Sequence, residues 1–166
     1  MRTEIRLARF RDIPAIKALA EEAHSRSPYA DCPIDAERLA LVARQAISSS
    51  FAGQAANSVI LVADDGEVHG VFVGAVMSLY ECLDVVWATN SFWYVRKGGN
   101  ARSAFRLLDA FHEWTIRRYD HVVFRVGLNA TLNPTEGLER LMRHRGFTRS
   151  GVIVEKEYRK CQQVDS

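Results

Sequence analysis

The stretch most able to do chemistry is Arg96-Lys97-Gly98-Gly99-Asn100-Ala101-Arg102-Ser103-Ala104, between the apolar run Trp93-Tyr94-Val95 and a helical pattern. Small residues let backbone amides approach a ligand closely. The first amides of a helix have no partner inside it. With the positive end of the helix dipole they make an anion site suited to a pyrophosphate. Arg96, Lys97 and Arg102 add charge at the same place. The stretch is neither the P-loop, which ends in Gly-Lys-Ser/Thr, nor the dinucleotide fingerprint. A tight strand-to-helix turn that uses glycine only for geometry fits it equally well, so the loop alone does not decide.

Other reactive side chains carry less. His112, His121 and His144 fall near helix or strand ends without ligand spacing and read as surface residues. Cys32, Cys82 and Cys161 are odd in number and scattered, so no metal site and no disulfide framework is expected. They read as reduced thiols of a cytoplasmic protein, with Cys82 a spectator rather than a nucleophile. Trp87, Phe92 and Trp93 read as packing on both faces of a buried strand, not as a base-stacking platform.

The 166 residues are 48% hydrophobic and 25% charged, which fits one soluble domain, placed at 1–160 with a tail at 161–166. No apolar run approaches the roughly 20 residues a membrane helix needs, and the alternating N-terminus reads as a strand rather than a signal peptide. Residues 1–95 carry 8 Lys/Arg against 12 Asp/Glu, whereas residues 96–166 carry 14 against 8. A basic second half suits a polyanionic ligand such as a nucleotide cofactor or nucleic acid, although solvated helix faces account for most arginines in any protein.

The elements that must position the loop follow from periodicity. Thr3–Ala8 alternates as a strand. Asp12 caps a helix with Pro14 in its first turn and Ile13, Ile16, Leu19, Ala20 and Ala23 on its apolar face. A loop spans Ser25–Pro33, and Asp35 opens a helix to about Ser48 with Leu39, Val42, Ala43 and Ala46 on one side. Ser58–Ala63, a turn at Asp64-Asp65-Gly66-Glu67 and Val68–Tyr80 form a hairpin, in which Gly70 and Gly74 suggest close approach or a bulge. Val85–Val95 is the next strand. A helix to about Tyr119 follows the loop, with Ala104, Leu107, Leu108, Phe111 and Thr115 as its stripe and Trp114 beside it. His121–Leu128 is a strand, Thr135–Arg145 a helix ended by Gly146, and Val152–Tyr158 a final strand. The order β-α-α-β-β-β-α-β-α-β predicts an α/β fold with a central mixed sheet and helices on both faces. The strands flanking the loop and its helix are expected to be parallel through a right-handed crossover.

This order and this loop resemble the GNAT superfamily of N-acetyltransferases over almost the whole chain. The family's pyrophosphate motif, Arg/Gln-x-x-Gly-x-Gly/Ala, is matched by Arg96-Lys97-Gly98-Gly99-Asn100-Ala101, with an alternative register toward Asn100–Ala104. The usual Pro-Glu-Tyr lead-in is missing. Ile5-Arg6-x-Ala8 followed by Asp12-Ile13-Pro14-Ala15-Ile16 is similar to the family's opening. Arg145-Gly146-Phe147 with Gly151 resembles its close. Ala23-His24-Ser25-x-Ser27-Pro28-Tyr29, Pro33-Ile34-Asp35 and Leu107-Leu108-Asp109-Ala110-Phe111-x-Glu113-Trp114 resemble a subgroup found in bacterial and phage genomes.

The resemblance implies acetyl transfer from acetyl-coenzyme A to a primary amine by direct attack in a ternary complex. It implies cofactor contacts from Tyr94, Val95, Arg96, Gly98, Gly99, Asn100, Ala101, Arg102, Ser103 and Ala104. The pantetheine would lie between parallel strands ending near Val95 and Asn129. His24 and Tyr29 fall where relatives form the acceptor pocket, and either could instead cap a helix or fill the core edge. Two positions depart from the family. Met142 replaces a tyrosine that serves as general acid, and Asn90 stands where an acidic residue on the fourth strand serves as base or water-holder. Glu81 and Asp84 precede that strand and could relay a proton through water; as loop carboxylates they also fit plain exposure.

Three functions therefore compete: the acetyltransferase, a non-catalytic coenzyme-A-binding module motivated by Met142 and Asn90, and a nucleic-acid-associated, base-modifying protein. No recognisable nucleic-acid motif favours the last. No membrane partner is expected, and the sequence leaves a homodimer open.

Overall fold

The computed structural model describes residues 3–51, 56–82, 84–98, 101–128 and 135–151. In chain order the elements are β1 (Glu4–Leu7), a 3-10 turn (Phe10–Asp12), α1 (Ile13–His24), α2 (Ala36–Ser50), β2 (Ser58–Asp64), β3 (Val68–Ser78), β4 (Val86–Val95), α3 (Ala101–Ile116), β5 (Val122–Arg125) and α4 (Thr135–His144). The five strands lie in sequence order, β1-β2-β3-β4-β5. The first three pairings are antiparallel and β4–β5 is parallel, as the strand–loop–helix–strand pattern predicts. The expected final strand at Val152–Tyr158 lies outside the described residues, as does the Asn133-Pro134 loop.

Helices cover both faces of this mixed sheet, each with its own core. On one side α1 and α2 bury Ile13, Ile16, Leu19, Ala43 and Ile47 against Ile60, Val62, Val71 and Tyr94. On the other side α3 buries Leu107, Leu108, Phe111 and Trp114 against Leu61, Phe72 and Ala88, with Met142 of α4 joining them. Period-two strands present alternate residues to the two cores. Among the described residues, no helix is long and apolar enough to cross a membrane.

Gly74 lies directly against the Phe111 ring of α3. A Cβ there would stand 2.2 Å from the Phe111 ring, so the helix can lie this close only over glycine. The same place interrupts the β3–β4 register: Val73 faces Phe92 and Gly74 faces Asn90, leaving Ser91 as an extra residue. Such a bulge turns the strand and raises its twist.

Two expectations need correction. Asp12 does not cap α1 with its side chain. The chain enters α1 through the 3-10 turn, so the Asp12 carboxylate turns back, accepts the Arg9 amide at 2.7 Å and takes both Arg6 nitrogens at 2.7 and 2.9 Å. In α2 the buried line is Ala43, Ile47 and Ser50, whereas Val42 is 51% exposed. Leu39 and Val42 suggest a wider apolar face. The helix instead lies on the sheet by its alanines, with Ser50 closing its end through Ala46 and Ile60. Asp35 does cap α2, accepting the Glu37 and Arg38 amides.

Candidate active site

Among the described residues, β4 and β5 are paired only from Val86–Val122 to Thr89–Arg125. Past that rung, the Asn90 side chain takes the place of the ladder. Its Oδ1 accepts the Gly127 amide at 2.8 Å and its Nδ2 donates to the Gly127 carbonyl at 3.3 Å. Ser91 then bulges, and Phe92–Val95 stays paired to β3 alone among the described residues. The two parallel strands therefore part at Asn90. This also shortens β5 from the expected His121–Leu128 to Val122–Arg125.

The open end of that fork meets the Arg96–Ala104 turn. The Arg96 amide donates to the His69 carbonyl at 2.8 Å, holding the strand end against β3. Gly98 has φ +90°, a conformation that favours glycine, and Ala101 opens α3. Gly99 and Asn100 lie outside the described residues. Val95 points into the α3 side, packed against Gly70, and Tyr94 points to α1. These two could meet a ligand in the fork only by their backbones. The Ser103 hydroxyl is fully buried and lies 3.2 Å from His69 Nε2. His69 Nδ1 in turn is 3.4 Å from Asp65. This has the partners of a hydrolase triad, but no substrate reaches the serine, so it acts as a clasp between β3 and the first turn of α3.

A second cluster ties α1 to the end of β4. Glu22 accepts from the Tyr94 hydroxyl at 2.8 Å and from Arg96 Nε at 2.9 Å, while Arg26 donates to Tyr94 at 3.1 Å. The Tyr94 hydroxyl, helped by Arg96, holds the Glu22 carboxyl below its usual range. Burial, reinforced by the Glu22 charge, pushes the Tyr94 phenol upward. Nothing in the periodicity of Glu22 singles it out; only the fold brings it to Arg96.

The remaining predicted residues are dispersed. His24 Nε2 pairs with the Cys32 carbonyl at 2.7 Å and fastens the loop after α1, while Tyr29 in that loop is exposed. Glu81 sits in the turn between β3 and β4, next to Tyr80, and both take positive φ. That turn is at the opposite end of β4 from Arg96. Met142 is buried in the α3-side core. Cys32 and Cys82 are both exposed. Trp93 packs against Phe72 and Phe105, and Phe92 stacks on Tyr94 on the other face. Among the described residues, no group of His, Cys, Asp and Glu could hold a metal. A hollow of about 440 Å³ lies between α3, β5 and Gly146–Ser150, away from the open end of the fork. Its lining comes from α3, β5 and the segment after α4 and includes no residue of β4, so the fork rather than this hollow carries the site.

The geometry defines a GNAT acetyltransferase fold, and solved structures agree. A transcriptional regulator from Bacillus halodurans C-125 superposes with TM-score 0.70 at 15% identity, over 95% of this chain and 100% of its own. Ribosomal-protein-alanine N-acetyltransferase from Brucella melitensis biovar Abortus 2308 gives 0.62 at 13%, over 96% and 100%. AAC(6')-Iy, in complex with the bisubstrate analogue CoA-S-monomethyl-acetylneamine, gives 0.63 at 14%, over 96% and 100%. No family model matches the chain, and no curated protein matches it in sequence.

Proposed function

We propose that this chain is an acetyl-coenzyme-A-dependent N-acetyltransferase acting on a primary amine in a ternary complex. The observation that carries the proposal is the fork: parallel strands that part at Asn90, with a glycine turn, basic residues and a helix N-terminus at the open end. Positive charge at Arg96 and Lys97 and the N-terminal end of α3 suit a diphosphate. A gap between strands suits a narrow, amide-bearing arm, which can bond to backbone groups along the β4 edge that no described residue pairs. The complex of AAC(6')-Iy with a coenzyme A bisubstrate analogue supports the same ligand.

The chain's own contribution is positioning and charge stabilisation. Amides along the bulged edge of β4 would polarise the thioester carbonyl, the kind of preorganised donor that supplies the largest electrostatic effect. A neutral amine attacks the carbonyl carbon, the C–N bond forms, the C–S bond breaks and the thiolate leaves, while the surplus proton on the nitrogen passes to solvent water, which can reprotonate the thiolate. Met142 is apolar and the Asn90 amide is engaged with Gly127, so neither moves a proton. Loss of such help costs about 10²–10⁴-fold in rate and does not abolish transfer. A cytoplasmic location and membership of the bacterial and phage subgroup belong to the same reading, on the cysteine pattern and on the motifs around His24 and Leu107.

Thiol release from acetyl-coenzyme A across a panel of amines tests it, with calorimetric titration by coenzyme A and by pantetheine alongside. Binding of coenzyme A that weakens about tenfold in Arg96→Gln/Lys97→Gln, with pantetheine binding unchanged, supports the diphosphate site. Binding without thiol release for any amine would favour the non-catalytic module that Met142 and Asn90 suggest. No affinity for either compound would end the proposal.

A further inference from the structure

Among the described residues, no helix covers the sheet face turned away from α3 beyond β4. Val86, Ala88, Val122 and Phe124 face the α3 core, so alternation puts Trp87, Thr89, Val123 and Arg125 on the opposite face. There α1 packs on β3 and β4 and α2 on β2, and neither packs substantially on β5. On this face the Arg125 guanidinium stands 3.8 Å from the centre of the Trp87 indole. Tyr80, 80% exposed, meets the same indole edge-on at 5.3 Å.

Arg125 differs from the arginines that form ion pairs. Arg6, Arg96, Arg117, Arg143 and Arg145 are each paired to a carboxylate. Arg125 is exposed and has no ion pair or hydrogen bond among the described residues. Stacking on an indole fixes the plane of a guanidinium while leaving its N–H edges free, the arrangement suited to bidentate capture of an oxyanion. Its place is specific as well. Thr89–Arg125 is the last rung before the strands part at Asn90. A substrate whose diphosphate sits at the α3 N-terminus fills the open end of the fork. The amine must then reach the carbonyl from the closed end, past Arg125.

We propose that Arg125, held on Trp87, recognises an anionic group, carboxylate or phosphate, on the acceptor amine. This rests on the acetyltransferase reading, which fixes the direction of approach, and it adds the class of acceptor. A charge-assisted pair of this kind is worth about tenfold or more in affinity.

The test uses two matched pairs: phenethylamine with phenylalanine for the carboxylate, and ethanolamine with O-phosphoethanolamine for the phosphate. Each compound is titrated calorimetrically into the full chain and assayed for thiol release with acetyl-coenzyme A. At least one anionic member is expected to bind, and to be acetylated, about tenfold better than its neutral mate. Arg125→Gln should bring that ratio to about one, while the control Arg117→Gln keeps it. The responding pair identifies the anion. A ratio near one in the unaltered chain, a preference that survives Arg125→Gln, or no binding by any of the four overturns the proposal. Arg125-dependent anion binding without thiol release keeps this site and overturns only the acetyl-transfer reading.

Discussion

The Asn90 side-chain amide pairs with both backbone groups of Gly127, accepting its N–H at 2.8 Å and donating to its carbonyl at 3.3 Å. One side chain thus imitates a rung of sheet at the point where β4 and β5 part. Because it satisfies the Gly127 amide and carbonyl together, it sets how far the fork opens without closing it. Asn90→Ala removes both bonds, each worth about 1 kcal/mol. The expected result is faster hydrogen exchange at the Gly127 amide and a fall in kcat larger than any rise in KM for acetyl-coenzyme A. Asn90→Asp keeps an acceptor for the Gly127 amide but loses the donor to its carbonyl, so it should restore protection of that amide in part and not kcat. Unchanged exchange at Gly127 in Asn90→Ala would remove the latch from the account.

Gly74 offers a test of how closely α3 must approach. A methyl group 2.2 Å from a ring that is 1% exposed cannot be absorbed by moving that ring to solvent. Gly74→Ala should cost about 1–3 kcal/mol by overpacking, read as a lower urea midpoint. Adding Phe111→Leu should return part of the loss, because the smaller side chain vacates the contact.

Acid should weaken the junction of β1, β2 and α1. Hydrogen bonds from Arg6 hold the Asp12 and Asp64 carboxyls below their usual range. Groups with depressed folded-state values stabilise fully above the unfolded carboxylate pKa of about 4 and lose that contribution as pH falls through the folded values. The urea midpoint should therefore hold from neutral pH to about 5 and drop below about 4. Arg6→Gln leaves Asp12, 5% exposed, charged without its partner and should cost about 3–5 kcal/mol at pH 7. The gap between variant and parent should narrow on acidification, as the stranded carboxyl takes up a proton. A pH-independent gap would contradict the ion-pair account.

The clasp beneath the loop predicts a non-additive pair. Ser103→Ala strands His69 Nε2 in a buried place and should cost about 1–3 kcal/mol. Ser103→Ala with His69→Leu should cost less than the sum of the two single changes, because both polar partners leave together. Additive losses in denaturant titrations would show that the two groups do not support each other.

If catalysis proceeds without a protein base, its pH dependence belongs to the acceptor. The rate should rise with pH along the deprotonated fraction of the amine, and should move with the amine's own pKa across a series of acceptors. A limb at one fixed pH for every amine would assign proton transfer to an enzyme group instead.

Much of this molecule was legible in its residues. The apolar run at Ser58–Ala63, the turn at Asp64-Asp65-Gly66-Glu67, the long strand expected at Val68–Tyr80, the caps at Asp35 and Gly146, and the α3 stripe from Leu107 to Thr115 are local signals, and the elements formed there, the long strand ending at Ser78. Helix and strand periods depend on neighbours a few residues apart, so one chain segment suffices to read them. What spacing could not reveal is who meets whom across the sheet. Glu22 meets Arg96 over 74 positions, Asn90 meets Gly127 over 37, and Ser103 meets His69 over 34. The Ser91 bulge, too, is a mismatch between two strands and belongs to neither alone. The order of elements and the basic, glycine-bearing turn were therefore determined by the sequence. The parting of β4 from β5, and the arginine left open beside it, were decided only by the tertiary structure, because each depends on registers that exist once the strands are side by side.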